Sequence, residues 1–321
     1  MSDFIRKANQ DIPLNKAQFM EMARLMKRPT GLRRFSHYVE IGTADGPLNF
    51  GTIIKDYQFD MLDLFQNNDR SILLASRQMS KTTIAAFYLL YEASFPPAKG
   101  DILIVAHKQG HAMEVLKRLK DMYYSMPMWM KPGMIKNNET SIEFDNGMRV
   151  IAEATTANAA RGKSLKFVYC DEMAFIPNRI QTDFMAGTAP SLSATRGKMM
   201  ITSTPNGSRD LFAKLWFGSG MEWDKKEYTY TRDKNAKNDF VPLFVPYWLD
   251  ADKVKPAWIK REKGTLDDPV KWKVEFECLA EETEVEVYDQ IDEVYKTITL
   301  KEMNHQLIKD VVDSRVIIEE D

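Results

Sequence analysis

The run SILLASRQMSKTTIAAFYLLY, from Ser71 to Tyr91, constrains the fold more than any other stretch of the chain. An apolar, strand-like start gives way to a polar turn, and Lys81-Thr82 then opens a helical pattern. A phosphate-binding loop has this layout: backbone N–H groups and a helix N-terminus point at the phosphates, a Lys neutralises charge, and a Ser/Thr hydroxyl holds Mg2+. The pattern G-x-x-x-x-G-K-[ST] would put glycines at Ala75 and Ser80. Glycine eases that backbone geometry but supplies none of the charge. Small side chains stand at both positions, so the chemistry is kept and the geometry is what needs explaining. The bland alternative is a buried strand followed by a helix with a solvated lysine.

Around this run, strands and helices alternate. Ser71–Ala75 reads as a strand and Thr82–Phe95 as a helix; GDILIVAHK is a strand ending near Ala106, and GHAMEVLKRLKDMYYSM is an amphipathic helix. TSIEFDNGMRVIAEA is a hairpin, because Asp145-Asn146-Gly147 offers the left-handed residues a tight turn needs. LKFVYC is a further buried strand, NRIQTDFMAGTAPSL a helix, KMMITST a strand and GSRDLFAKLWF a helix. Short connections between alternating elements predict an α/β fold with a mostly parallel central sheet flanked by helices. Upstream, residues 1–50 form a helical and basic segment. Phe19, Met22, Leu25 and Met26 recur at helical spacing, and Lys27, Arg28, Arg33 and Arg34 cluster around a Pro/Gly break. That cluster suits contact with nucleic acid or another subunit, or an ordinary solvated loop.

The start MSDFIRKANQ has no apolar run behind it, so no leader is expected, and no window approaches a membrane span. Two cysteines, Cys170 and Cys278, and four scattered histidines leave no disulfide framework and no expected metal cluster, which implies a reducing, cytoplasm-like compartment.

The chemistry of the loop needs partners, and two strand ends supply them. FVYCDEMAF is an apolar strand ending in Asp171-Glu172, at the carboxyl edge where ligands of parallel sheets sit. A Mg2+-dependent hydrolase needs one carboxylate beside the metal, the role that suits Asp171, and another to orient or deprotonate the attacking water, which suits Glu172. ITSTPNG places Thr202, Ser203 and Thr204 at the same edge. Upstream, IKDYQFDML puts Gln58 about twenty residues before the loop, where its amide suits an adenine edge and Tyr57 suits the base. Taken singly, each of these also reads as an ordinary surface residue.

DYQFDML, ASRQMSKTT, ILIVAHK, ARGKS, VYCDEMAFIPN and ITSTPNG stand in an order and spacing that resemble the large terminase subunit of T-even-like tailed phages, over roughly residues 45–277. The resemblance implies a P-loop NTPase fold and an ATPase motor that drives double-stranded DNA into a procapsid, with ATP and Mg2+ as cofactors. It implies that Lys81 and Thr82 bind phosphates and Mg2+, with Ser76, Gln78, Ser80 and Thr83 completing the nucleotide loop. By the same resemblance Arg77 acts in cis on the transferring phosphoryl group, Asp171 holds Mg2+, Glu172 is the catalytic carboxylate, Gln58 takes the adenine, and Thr202–Thr204 couple hydrolysis to movement. Ser80 departs from the glycine of many relatives. The implied partners are DNA, a portal protein, a small terminase subunit and further copies in a ring on the procapsid, in the host cytoplasm and with no membrane. The nuclease half that follows in the family is not expected here.

Something changes at Cys278. Residues 278–321 hold thirteen acidic and four basic residues, a net of −9, whereas the preceding 277 residues carry a net of +7. CLAEETEVEVYD resembles the opening block of an intein, with Cys278 as the nucleophile that attacks the carbonyl of Glu277, and Thr283 and alternating β residues behind it. The expected division is a basic segment over 1–50, the ATPase domain over 51–277, and an N-terminal intein fragment over 278–321, β-rich and short. Such a fragment would splice only with a complementary C-terminal fragment carrying the nuclease half. A structural Cys opening an edge strand is the plain alternative. Two rivals stand beside the motor: a superfamily-two helicase, which shares the adenine Gln, the Lys-Thr loop and an Asp-Glu pair, and an inactive splicing precursor.

Overall fold

Eight strands make the central sheet of this computed structural model, which describes residues 4–44, 46–206, 210–224, 229–233, 235–266 and 269–278, and after them only Glu284–Asp289 and Val294–Thr299. The strands are β1 Arg70–Ala75, β2 Gly100–Ala106, β3 Met134–Asn138, β4 Ser141–Phe144, β5 Met148–Ala154, β6 Leu165–Cys170, β7 Lys198–Ser203 and β8 Val241–Val245. Their order across the sheet is β8-β1-β7-β6-β2-β5-β4-β3. Pairings from β8 to β5 are parallel, and β5-β4-β3 is an antiparallel extension. Each strand and helix expected between Ser71 and Thr204 is present, with ends that move by a few residues at most. The sheet is parallel where the helices cross over, as the alternation required.

Both faces are buried, which is why the parallel strands read as apolar runs rather than alternating ones. Leu73 and Ala75 of β1 join one core with Ile102, Ile104, Phe167 and Tyr169, while Ile72 and Leu74 join the other with Leu103, Val105, Val168 and Ile201. Besides the short helices Thr30–Phe35 and Phe50–Ile53, the helices are α1 Lys16–Leu25, α2 Asp56–Asn67, α3 Lys81–Ser94, α4 Gln109–Ser125, α5 Asn178–Thr195, α6 Leu211–Gly218, α7 Pro256–Leu266 and α8 Pro269–Glu275. Residues of α2, α3 and α4 fill the first core; Phe184 and Leu192 of α5 and Phe212 and Trp216 of α6 fill the second. The β4–β5 turn closes with the Gly147 N–H donating to Phe144 O at 3.0 Å, and Gly147 takes the left-handed φ of 86° expected of it.

Three details depart from the sequence reading. Only Leu25 of the apolar set on α1 is buried; Phe19 and Met26 are 68% and 60% exposed. The basic cluster is largely spent inside the molecule. Arg28 holds the buried carboxylate of Glu92 (2.6 Å), Arg34 holds Glu21 (2.8 Å) and Arg33 holds Asp63, so three of the four basic residues are ion-paired within the chain, where the sequence left a nucleic-acid or subunit contact and a solvated loop both open; Arg33 and Arg34 stay about half exposed. Strand β8 was not anticipated: VPLFV is short and carries a proline, and it survives as an edge strand, where proline costs no ladder bond. Residues 279–283 (Thr283 among them), 290–293 and 300–321 lie outside the described residues; the expected β run around Val285 and Val287 pairs with Val294–Thr299, antiparallel from Glu284↔Thr299 to Asp289↔Val294.

Candidate functional site

The parallel registers bring the carboxyl ends of four strands to one edge of the sheet, staggered by one or two residues. Ala75 pairs with Val245, Leu74 with Ser203, and Cys170 with both Ile201 and Val105. The next residue along each strand therefore emerges at the same edge: Ser76 after β1, Thr204 after β7 and Asp171 after β6. β7 lies between β1 and β6, so the hydroxyl run stands between the loop and the acid pair. This answers why residues more than a hundred positions apart share one site.

The loop answers the glycine question. Ser80, at the start of α3, has φ 61° and ψ 17°, and Gln78 has φ 64°. The chain adopts the left-handed turns a glycine would make and does so with side chains in place, at a cost of about 1–2 kcal/mol per residue. Lys253, 8% exposed, helps to hold that turn: its ammonium donates to Gln78 O and contacts Met79 Sδ at 3.4 Å. The Ser80 side chain caps nothing. Ser80→Gly is accordingly expected to stabilise the protein by about 0.5 kcal/mol, the left-handed strain relieved less the extra freedom of the unfolded chain. Thermal or urea unfolding measures it, and a loss of more than about 1 kcal/mol would show the serine side chain to be needed.

Beyond the loop, Lys81 is buried and its Nζ lies 2.9 Å from Glu172 Oε1. Thr82 Oγ1 stands 3.3 Å from each oxygen of Asp171. Glu172 is itself in the left-handed region, at φ 48°, and three donors from β7 and its end converge on its Oε2: Thr204 N–H at 2.9 Å, Thr204 Oγ1 at 3.2 Å and Ser203 Oγ at 3.3 Å. Thr202 Oγ1 donates to Asp171 Oδ1 at 3.2 Å. The two acids, Lys81-Thr82 and Thr202–Thr204 thus form one connected group. Burial raises the Asp171 pKa above the ordinary carboxylate range, and the neighbouring charge of Glu172 adds to it; Tyr169, Lys81 and Thr202 oppose the shift. A buried carboxylate beside a hydroxyl offers hard oxygen donors, and a divalent cation there would offset the repulsion between the two acids. These residues fit Mg2+ and a phosphate chain.

The remaining predicted residues are placed differently. Ser76 is fully buried and faces away from the acids: its hydroxyl donates to Phe276 O, accepts the Tyr247 N–H at 2.9 Å, and lies 3.6 Å from Cys278 Sγ. The N–H groups of Ser76 and Arg77 are spent on Val245 O and Glu275 O. The Arg77 guanidinium, 56% exposed, pairs with Glu275 of α8 at 3.0 Å, and Gln78 Nε2 donates to Glu262 of α7 at 3.2 Å. Thr83 Oγ1 accepts from Arg118 at 3.3 Å. Gln58 is mostly buried, and its amide oxygen accepts the Lys55 N–H at 3.0 Å, capping α2. Lys55 and Tyr57 both reach Asp250, three residues before Lys253, so the Gln58 segment and the loop share one buried anchor.

Sequence reasoning missed that anchor, and also α7 and α8, which reach the loop through Glu262 and Glu275 and pack together through stacked Trp272 and Phe276 (4.5 Å between centroids) and the edge of Trp258 (5.5 Å). Nothing local at Asp250, Lys253 or Glu275 signals a partner almost 200 residues away. Tyr169 was missed too, although strand periodicity puts it on the face of Asp171. Cys278 is fully buried in the second core, at φ 59°, and burial pushes its thiol up to about 12.

Comparison with known proteins bears on the family and the fold. The family model described as "Terminase large subunit, T4likevirus-type, N-terminal" matches residues 72–294. Among solved structures, the large terminase ATPase domain of Thermus phage P74-26 is 18% identical, with a TM-score of 0.54 over 70% of this chain and 97% of that one. The large terminase of another, thermophilic bacteriophage, solved in complex with ADP, is 14% identical with a TM-score of 0.54 over 73% of this chain and 55% of its own. The HK97 bacteriophage large terminase is 15% identical with a TM-score of 0.58, over 82% and 56%. At these identities the solved structures establish the fold. The chain spans nearly all of the isolated ATPase domain and about half the length of the other two chains.

Proposed function

The chain belongs to the T4-like family of terminase large subunits, in its N-terminal part, and on that footing we propose that it is the Mg2+-dependent ATPase motor that translocates double-stranded DNA into a procapsid. The observation that carries this reading is the pair of short contacts between the loop and the acid strand: Lys81 to Glu172 at 2.9 Å and Thr82 to Asp171 at 3.3 Å. Mg2+, when bound, would neutralise charge developing on the phosphates. Thr82 and Asp171 would hold it. Lys81 would bind the phosphates, Glu172 would take a proton from the attacking water, and Arg77 would leave Glu275 to meet the transferring phosphoryl group. Thr204, bonded to Glu172 through both its N–H and its hydroxyl, would pass the change in that carboxylate to β7. Gln58 would read the adenine once its amide leaves Lys55.

The proposed partners are double-stranded DNA, a portal protein, a small terminase subunit and further copies of the chain in a ring. No helix among the described residues is long and apolar enough to cross a membrane. An ATPase assay with added DNA tests the reading: Mg2+-dependent hydrolysis stimulated by double strands is expected. Stimulation by single strands, with unwinding, would make the chain a helicase.

The seam supports a second proposal, that residues 1–50, 51–277 and 278–321 are a basic segment, the motor and an N-terminal intein fragment. It is supported by the Cys278 block, the change of charge and the hairpin that pairs Glu284–Asp289 with Val294–Thr299. Against it, the family match runs past the seam to residue 294. In the splicing step the Cys278 sulfur bonds to the Glu277 carbonyl carbon, the amide C–N bond breaks, and the freed amine takes the thiol proton. The Cys278 thiol is fully buried beside Ser76, and burial pushes it up to about 12, which disfavours the thiolate the step needs for as long as Cys278 keeps that seat. Mixing the chain with a complementary fragment, basic where this tail is acidic, is expected to yield a ligated product without residues 278–321, and Cys278→Ala is expected to block it. A ligated product that keeps residues 278–321, read by mass spectrometry, would contradict the intein proposal.

A further inference from the structure

Tyr169 is the penultimate residue of β6 and is fully buried. Its hydroxyl donates to Asp171 Oδ1 at 2.7 Å and lies 2.9 Å from Thr202 Oγ1. Thr202 reaches the same Oδ1 at 3.2 Å. That oxygen is therefore gripped from the sheet side by two hydroxyls, one on β6 and one on β7. Among the described residues, Oδ2 receives only the longer contact from Thr82 at 3.3 Å. The ring alone would fill this part of the core equally well as phenylalanine, and a buried hydroxyl is costly unless its bonds are made. The polar atom is thus placed for the carboxylate rather than for packing.

We propose that Tyr169 is a positioning residue for the divalent cation: it pins Oδ1 on the sheet side, leaving Oδ2 as the oxygen that neither Tyr169 nor Thr202 engages, and it ties that carboxylate to Thr202, the first residue of the hydroxyl run. This rests on the reading of Asp171 and Thr82 as the cation's ligands. The arrangement repeats one residue along, where Glu172 is bonded to Ser203 and Thr204. Each acid of the pair is thereby held by the hydroxyl strand next to it, and a movement of β7 reaches both.

The test uses the full chain saturated with a non-hydrolysable ATP analogue, with Mn2+ binding followed by electron paramagnetic resonance. Tyr169→Phe is expected to weaken Mn2+ binding by about 10–100-fold, as the loss of an outer-shell partner of a metal carboxylate does, while nucleotide binding without divalent cation and the thermal unfolding profile stay close to the parent. Mn2+ affinity within twofold of the parent in a folded Tyr169→Phe protein overturns the proposal. Asp171→Asn separates the two levels of the account. If it loses Mn2+ while Tyr169→Phe keeps it, only the role of Tyr169 falls; if it binds Mn2+ as the parent does, the ligand assignment falls and the proposal with it. Should Tyr169→Phe fail to fold, Thr202→Val removes the other grip, and unchanged Mn2+ affinity there overturns the proposal instead.

Discussion

Glu172→Gln is expected to cut ATP turnover by about 10²–10⁴-fold while ATP affinity stays within a few-fold of the parent. The amide fills the same space but cannot take a proton from water. It also has one acceptor oxygen where the carboxylate has two, each now facing donors: Lys81 at Oε1, Thr204 and Ser203 at Oε2. One of those donors must lose its acceptor, so the variant should also loosen the end of β7. Steady-state hydrolysis beside a fluorescent-nucleotide titration reads both effects. Turnover at the parent rate would remove Glu172 from the chemistry and leave it as a structural clamp on Thr204.

Arg77→Ala is expected to lower kcat by roughly 10³-fold with little change in nucleotide affinity, the effect of losing an arginine that acts on the transition state. In the present arrangement the guanidinium sits on Glu275, an exposed pair of a kind worth about 0.2–1 kcal/mol. Releasing it toward a phosphoryl group therefore costs little. In this arrangement Arg77 stands on Glu275 and not among Lys81, Asp171 and Glu172. A fall in affinity with kcat preserved would instead make Arg77 a ground-state phosphate ligand, and single-turnover kinetics distinguish the two.

What could be read in the sequence follows from what each feature depends on. β1, β6 and β7 are buried on both faces, so their apolar runs and polar ends are written locally, and with them Lys81, Thr82, Asp171, Glu172 and Thr202–Thr204. The left-handed turns at Gln78 and Ser80 could not be read from residue type, because neither residue prefers them; Lys253, contributed from beyond β8, helps to hold one. Ser76 reads as a loop hydroxyl, yet α8 and the chain after it supply Phe276 and Cys278 to its buried side. The basic cluster near Arg28 reads as a surface patch because its acidic partners, Glu92, Asp63 and Glu21, lie on three separate helices. Pairings of that kind are decided by packing, which no local pattern records.

The central claim, that the edge formed by β1, β6 and β7 is an ATP site despite its missing glycines, is tested most directly by equilibrium titration of a non-hydrolysable ATP analogue into the parent chain and into Lys81→Ala. The parent should bind one nucleotide per chain, more tightly with Mg2+ than without. Lys81→Ala should bind about 10–100-fold more weakly, the worth of a charge-assisted hydrogen bond to phosphate. A parent chain that fails to bind, or a Lys81→Ala chain that binds as tightly as the parent, would contradict the account.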